Sequence, residues 1–249
     1  MFDDNSNFYE FEHYGTISPE NMQRYNFLLD VIRKNISLKP LKHILDFGSG
    51  DGSFSILLKN RFNAQVYGVD ISRTAVDISN HKGIPTDLLN IDKENLPFAN
   101  DKFDFIFCGE VIEHIYNPDH LLMEIYRVLN KSGFAMLTTP NLASWYNRIS
   151  LLLGYQPFWA DVSNKYGVGY LLPMGTAGHI RLFTLKALKQ LVNKYNFSVI
   201  KVFGLPINTN NPNYGKCFNL ISLIANKVTS IFPSLSSDMM VILRKGENI

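Results

Sequence analysis

Apolar and polar positions alternate in blocks along the first 140 residues of the chain. Apolar runs typical of strands lie at 43–46, 65–70 and 103–108, the last of the buried type, and shorter ones lie at 85–89 and 134–138. The segments between them carry apolar residues at helical spacing. Because strands that alternate with helices pair in parallel and place the helices on both faces, the pattern predicts an α/β fold with a mostly parallel sheet.

Capping residues mark where helices should begin. Ser18, Pro19 and Glu20 combine a capping hydroxyl, a proline at the first helical position and an acidic first turn, which are typical of a helix N-terminus. Ser72 is placed to cap a later helix. Besides the helix after Ser18, we predict helices over the ranges 54–58, 73–80, 118–130 and 185–195, the third of these closed by a turn at 131–133.

The regular alternation stops after residue 140. Residues 141–181 mix aromatic residues with glycine and proline and show no period. Ligands bind open α/β sheets beyond the carboxyl ends of the strands, so a long insertion after a strand is predicted to form a substrate lid. The alternative is a packed excursion that contacts no ligand.

Two further predicted strands, at 197–203 and 239–244, flank a second excursion over 204–237. Some of its apolar residues have the spacing of an amphipathic helix. The surface on which this helix packs is left open between the lid, a second subunit and a membrane surface. Core packing is the commonest use of such a helix face. The residues concerned are Phe218, Leu220, Ile221, Ile224 and Val228.

Composition narrows the function classes. The 24 basic and 22 acidic residues give a net charge of +2 without a dense basic run, so the electrostatic footprint of a nucleic-acid binder is absent, although a structured RNA substrate is not excluded. Cys108 and Cys217 are too few for a disulfide framework. The polar N-terminus differs from a signal peptide, and no apolar run reaches the roughly 18 residues of a membrane span. We predict a cytoplasmic protein without a transmembrane segment.

One stretch carries the clearest chemistry. Asp46 ends an apolar run, and glycines follow at alternate positions, Gly48, Gly50 and Gly52. Glycine tolerates positive φ and lets a ligand approach bare main chain, while the helix that follows offers unpaired N–H groups. The stretch is predicted to cradle a nucleoside-type cofactor; the alternative is a turn that only links strand to helix.

A carboxylate follows at the spacing that such a cradle requires. Asp70 lies 18 residues after Gly52, at the end of the second predicted strand. A carboxylate there can accept two hydrogen bonds from a ribose diol, as in dinucleotide folds.

With these residues in place, the chain resembles the class I S-adenosylmethionine-dependent methyltransferases. Asp46 to Gly52 resembles the first motif of that family, Asp70 its ribose-binding acid and Asp92 the acid that holds the adenine amino group. The segment 103–114 resembles the fourth-strand motif beside the methionine portion. The resemblance implies these cofactor-binding residues: Asp46, Gly48, Ser49, Gly50, Asp70, Ile71, Ile91, Asp92 and Glu110.

The resemblance also implies the fold and the cofactor. It covers residues 40–140 strongly and 178–184 weakly, and it implies a Rossmann-like, seven-stranded, mostly parallel sheet with a reversed last strand and an inserted lid. S-adenosyl-L-methionine is the implied methyl donor and S-adenosyl-L-homocysteine the product. We predict a single domain over 1–249, made of a lead-in and helix (1–40), a cofactor-binding core (41–140), the lid (141–181) and a C-terminal part of the sheet (182–249) with an insertion at 205–237.

His114 is the predicted catalytic base, since it lies just beyond the fourth strand and methyl transfer to a hydroxyl requires removal of a proton. The alternative is that Glu113 and His114 only shape the loop. Glu110, Glu113 and His114 stand at i, i+3 and i+4, and with His179 they form an oxygen and nitrogen set of the kind that binds divalent ions. This pattern resembles metal-assisted methyltransferases of quinone precursors and of small-RNA ends, but the Glu-His pair also occurs in metal-free relatives. The metal is left open.

The leading prediction is methyl transfer to a small-molecule, sugar or lipid-linked acceptor, at oxygen. A nicotinamide oxidoreductase would need Gly-x-Gly-x-x-Gly, whereas the third glycine, Gly52, comes one residue early and Ser53 follows. A non-catalytic cofactor-binding module is the other alternative. A homodimer and peripheral membrane contact are also left open.

Overall fold

The computed structural model describes residues 17–36, 40–205 and 216–246. The described strands form one seven-stranded mixed sheet. The strands are β1 (His43–Phe47), β2 (Gln65–Asp70), β3 (Thr86–Leu88), β4 (Phe103–Gly109), β5 (Leu129–Pro140), β6 (Phe197–Leu205) and β7 (Asp238–Lys245). Their order is β3-β2-β1-β4-β5-β7-β6, and β1 pairs in parallel with both β2 and β4. The predicted α/β fold is confirmed.

The helices of the described ranges are α1 (Pro19–Asn35), α2 (Ser53–Phe62), α3 (Arg73–His81), α4 (Pro118–Val128), α5 (Trp145–Leu152), α6 (Leu185–Lys194) and α7 (Lys216–Ile231). The predicted caps are in place: the Ser18 hydroxyl accepts from the backbone N–H of Asn21, and Ser72 from that of Ala75. None of these helices is both long and apolar enough to cross a bilayer.

The chain divides into two compact units. Unit 1 comprises residues 1–109, 117–136 and 244–249, and unit 2 comprises residues 110–116 and 137–243. A single domain over 1–249 stays a prediction. The predicted lead-in at 1–16 lies outside the described residues.

In unit 1, β1 and β4 form the centre of the core. Ile44 lies opposite Phe105 and Leu45 opposite Ile106 in the parallel register, and all four side chains are fully buried. Strands that are covered on both faces are continuously apolar, which is why these runs were predictable.

Three predicted boundaries in unit 1 are wrong. Helix α2 extends to Phe62 rather than Leu58, and α4 ends at Val128, so that β5 begins at Leu129. The predicted turn at 131–133 is therefore part of a strand. The Asn130 amide contacts the neighbouring strand, donating to Asp104 of β4 at 2.7 Å, while its oxygen makes a local turn contact by accepting from the backbone N–H of Ser132 at 3.0 Å.

In unit 2, the core is formed around β7, whose residues Met239 to Leu243 are fully buried. Helix α5, inside the predicted lid, was not predicted. It exposes Leu151 and Leu152, so its apolar residues do not follow a single buried face. Helix α7 lies where the amphipathic helix was predicted and packs on β6, but Ile221, Ile224 and Val228 are exposed, so these three side chains are not part of the core. The side chains of Phe218 and Leu220 lie outside the described part of the chain.

Candidate active site

The glycine loop between β1 and α2 has the backbone that its sequence predicts. Gly48, Gly50 and Gly52 have φ values of 72°, 52° and 76°, in the left-handed region that side-chain-bearing residues avoid. A Cβ at Gly52 would lie 2.5 Å from the Ser79 hydroxyl, whereas nothing lies within 4 Å of one at Gly50. Gly52 is therefore needed for packing, and the space beside Gly50 is open.

Asp70 fastens this loop to the next helix. Its Oδ2 accepts a hydrogen bond from the Gly50 backbone N–H at 2.8 Å, and its Oδ1 accepts from the Ser72 N–H at 2.9 Å. Asp70 therefore joins the glycine loop to Ser72, the residue that caps α3.

Asp46 lies inside the protein, with 2% of its surface exposed. The Ser55 hydroxyl of α2 donates to its Oδ2 at 2.5 Å. Burial, and to a smaller extent the charge of Asp70, raise the pKa of Asp46 to about 7, although the hydrogen bond from Ser55 lowers it. The hydrogen bond between Ser55 and Asp46, a predicted cofactor residue, therefore holds α2 against the end of β1.

The remaining predicted cofactor residues of unit 1 follow β1, β2 and β3. Ser49 is buried, and its hydroxyl oxygen has no hydrogen-bond partner within the described ranges. The Oδ1 of Asp92 accepts from the backbone N–H of Asn117, the residue that caps α4, at 2.8 Å. Ile91 is buried and Ile71 half-buried.

Glu110, His114 and His179 belong to unit 2. Glu110 has a left-handed backbone, with φ of 55°. Its backbone N–H donates to the Thr138 carbonyl at 3.0 Å, and its Oε1 accepts from the Thr138 hydroxyl at 2.6 Å. The carboxylate that was predicted to bind the cofactor is thus tied to β5.

Glu113, His114 and His179 form a compact cluster, in which potential ligand atoms all lie within 4.8 Å of one another. The Nδ1 of His114 lies 3.2 Å from the Gly178 carbonyl, and the Nδ1 of His179 lies 3.0 Å from the Trp159 carbonyl. A carbonyl only accepts hydrogen bonds, so both Nδ1 atoms carry the proton and both Nε2 atoms carry the lone pair.

The environment of the cluster disfavours charge. Glu113 is fully buried; its Oε2 accepts from the Thr139 hydroxyl at 2.9 Å, and its Oε1 has no hydrogen-bond partner among the described residues. Burial, followed by the charge of Glu110, raises the pKa of Glu113 well above its ordinary value. Burial and the neighbouring His179 lower the pKa of His114 to about 4, so this imidazole is neutral at pH 7.

Asp161 organises the loop that carries His179, and sequence reasoning missed it. Its Oδ1 accepts from the Tyr170 hydroxyl at 2.6 Å and its Oδ2 from the Ala177 N–H at 2.9 Å. A signal existed in the sequence, because Asp161 is the one acidic residue between positions 125 and 237. An isolated carboxylate in such a segment is a candidate for a specific structural bond.

Comparison with known proteins identifies the family. A family model described as a methyltransferase domain matches residues 20–202, most of the chain. The chain belongs to this methyltransferase family. The resemblance and the class I methyltransferase fold predicted from the sequence are thereby confirmed.

The alignments with known relatives cover different shares of this chain and of each relative. This methyltransferase is 25% identical over 199 residues to the ubiquinone biosynthesis O-methyltransferase of Bartonella tribocorum, covering 78% of this chain and 76% of that protein. It is 37% identical over 97 residues to the biotin biosynthesis bifunctional protein BioHC of Cellvibrio japonicus, covering 39% of this chain but only 19% of that protein. The crystal structure of a SAM-dependent methyltransferase from Archaeoglobus fulgidus has a TM-score of 0.58 and 18% identity, covering 89% of this chain and 94% of that chain, which shows a common fold.

Proposed function

We propose that the protein transfers a methyl group from S-adenosyl-L-methionine to a hydroxyl oxygen of a small-molecule, sugar or lipid-linked acceptor. The observation that carries the proposal is the Asp70 carboxylate bonded to the Gly50 N–H of an open glycine loop, within a chain of the methyltransferase family. Transfer to oxygen is supported by the similarity to the ubiquinone biosynthesis O-methyltransferase of Bartonella tribocorum.

The residues of unit 1 would hold the donor. Asp70 would accept from the ribose diol and Asp92 from the adenine amino group, while the glycine loop would offer bare main chain beside Gly50. The remaining predicted contacts, from Asp46, Ser49, Ile71, Ile91 and Glu110, belong to the same proposal.

The reaction needs the acceptor hydroxyl to be placed in line with the methyl group, and it needs one base to accept the hydroxyl proton. The acceptor oxygen forms the new C–O bond as the S–C bond of the sulfonium breaks, and the electron pair of the broken S–C bond remains on sulfur. The hydroxyl proton is transferred to a base. We assign that base to His114, whose lone pair is on Nε2. A pKa of about 4 keeps this imidazole unprotonated at neutral pH, but it also gives a weaker driving force than an imidazole of ordinary pKa.

A divalent cation is a second candidate for the same cluster, and the residues fit one. The buried Glu113 Oε1 lacks a partner in the described ranges, and two imidazoles have their lone pairs on Nε2. An Nδ1–H that donates to a backbone carbonyl is the usual orientation of a metal-bound imidazole. Glu113, His114 and His179 would hold the ion, with Glu110 adding negative charge, and the ion would lower the pKa of an acceptor hydroxyl.

Two measurements test these proposals. Calorimetric titration should show binding of S-adenosyl-L-homocysteine and not of NAD; no heat with the former would reject the methyltransferase proposal. Methyl release should then be measured across hydroxylated quinone, sugar and lipid acceptors, with His114→Ala compared with the control His81→Ala, since His81 is an exposed histidine of α3.

The two roles of His114 are separable by chelation. If His114 acts alone as the base, chelator leaves turnover unchanged while His114→Ala abolishes it. If the cluster holds a cation, chelator abolishes turnover and Mg²⁺ or Zn²⁺ restores it, and Glu113→Gln loses bound metal by elemental analysis. Unchanged turnover in His114→Ala would remove this residue from both roles.

A further inference from the structure

Helix α7 presents an apolar stripe to the outside of unit 2. Ile221, Ile224, Val228 and Ile231 recur at i, i+3, i+7 and i+10, so they share one face of the helix, and they are 46%, 60%, 44% and 73% exposed. Phe232, directly after the helix, is also exposed. A row of large apolar side chains in water is unfavourable and typically marks a surface that another body covers.

A different face of the same helix is packed, which fixes the stripe outward. Thr229 is 4% exposed, and a Cβ at Gly204 of β6 would lie 2.7 Å from the Thr229 carbonyl oxygen. Glycine at 204 therefore allows the backbone of α7 to lie directly against β6. The helix cannot turn its stripe inward without losing this close contact.

The charge of the surrounding sequence selects the occupant. No Asp or Glu occurs between residues 162 and 237, whereas this segment carries eight Lys and Arg residues. Lys227 of α7, Lys201 of β6 and two lysines of α6, Lys186 and Lys194, are exposed. The net charge of +2 conceals this segregation, since 19 of the 22 acidic residues precede position 125.

An apolar stripe on a helix that also carries the exposed Lys227, within a segment that has eight basic residues and no carboxylates, has the composition of an interfacial helix that binds anionic lipid. A second copy of the chain is a poorer partner, because a two-fold interface pairs a patch with itself and would bring lysines together without acidic partners. At the edge of the stripe, Lys227 can extend its ammonium to the phosphate level while its stem lies along the apolar layer.

We propose that helix α7 lies on the surface of an anionic membrane, with Ile221, Ile224, Val228, Ile231 and Phe232 inserted below the headgroups. The contact is peripheral: this helix lacks the length and apolarity needed to span a bilayer. In unit 2, helix α5 ends in a second exposed apolar segment, Leu151 to Leu153, and the Tyr146 hydroxyl of α5 lies 2.9 Å from Ser237, shortly after α7.

The test is co-sedimentation of the full chain with phosphatidylcholine vesicles that contain or lack phosphatidylglycerol. We expect binding to the anionic vesicles, weaker binding at high salt and at least a roughly tenfold loss in the variant Ile224→Glu/Ile231→Glu. Met123→Glu, at an exposed apolar position of α4 in unit 1, adds negative charge elsewhere and should bind much more tightly than that variant.

Three results would overturn the proposal: no binding of the native chain to anionic vesicles, equal binding by the stripe variant, or equal loss in the Met123→Glu control. Light scattering is a second measurement and can give a fourth such result. A native dimer that the stripe variant dissociates would assign the stripe to a second copy instead. Because the substituted side chains are exposed, the variants should retain the native circular dichroism and melting temperature.

Discussion

The Asp70 carboxylate accepts a hydrogen bond from the backbone N–H of Gly50 at 2.8 Å, across 20 residues of chain. The bond joins the end of β2 to the middle of the glycine loop. Because the same carboxylate is the proposed ribose acceptor, loop conformation and donor binding depend on one side chain.

We therefore expect Asp70→Asn to weaken S-adenosyl-L-homocysteine binding by roughly 10- to 100-fold, the loss that follows from hydrogen bonds to a charged acceptor worth about 1.5–3 kcal/mol. Isothermal titration calorimetry measures it. Asp77→Asn, an exposed residue of α3, is the matched control. Native affinity in Asp70→Asn would exclude the proposed ribose contact.

Alanine substitutions at two glycines of the loop should affect stability and donor binding to different extents. Gly50→Ala places a methyl group in open space and should cost about 1 kcal/mol of stability from the left-handed backbone alone, while it obstructs the donor. Gly52→Ala adds a clash with Ser79 and should unfold at a clearly lower temperature. Thermal melting and titration of both variants check the order; equal melting temperatures would contradict it.

Asp46 should make stability depend on pH. Its pKa is about 7 in the folded chain and near 3.8 when unfolded, so between these values the native state binds a proton that the unfolded state lacks. The contribution of Asp46 to the unfolding free energy should therefore be largest below pH 4. It should fall by up to about 1.4 kcal/mol per pH unit as pH rises to 7.

Urea denaturation from pH 4 to 8 tests this dependence by comparing the native chain with Asp46→Asn. As pH rises, the unfolding free energy of the native chain should fall relative to that of Asp46→Asn. A difference that is constant with pH would mean that Asp46 has its ordinary pKa in the folded state.

Asp161 should control the order of the loop that carries His179. Asp161→Ala leaves the Tyr170 hydroxyl and the Ala177 N–H without their acceptor, at a cost of about 1–3 kcal/mol. Hydrogen exchange should accelerate at Ala177 and leave β1 unchanged. Asp87→Ala, at an exposed position of β3, is the control, and unchanged exchange at Ala177 would refute the assignment.

Local patterns determined how much was predictable. β1, β2 and β4 were predicted within a residue because strands covered on both faces are continuously apolar, and the glycine loop was predictable because positive φ selects glycine. The start of β5 was predicted wrongly because Lys131 to Gly133 are typical turn residues, and the long-range bond between Asn130 and Asp104 has no local signal.

The histidine cluster shows the limit of sequence reasoning. Glu113 and His114 were recognisable from their spacing, but the protonation of each imidazole depends on the carbonyls of Gly178 and Trp159, which no local pattern specifies. The role of Asp161 likewise depends on partners 9 and 16 residues away.

The main-chain carbonyl of Glu113 accepts from the backbone N–H groups of both Ile180 and Arg181, at 2.9 and 3.2 Å. The turn at 112–114 is therefore joined to the 178–181 segment by two peptide hydrogen bonds of this kind as well as by the His114 side chain. Exchanging the acidic or imidazole side chains leaves the two peptide hydrogen bonds available, so this part of the framework does not depend on those side chains. Such a framework can accept a new set of reactive groups, in natural divergence or in design, without having to be rebuilt.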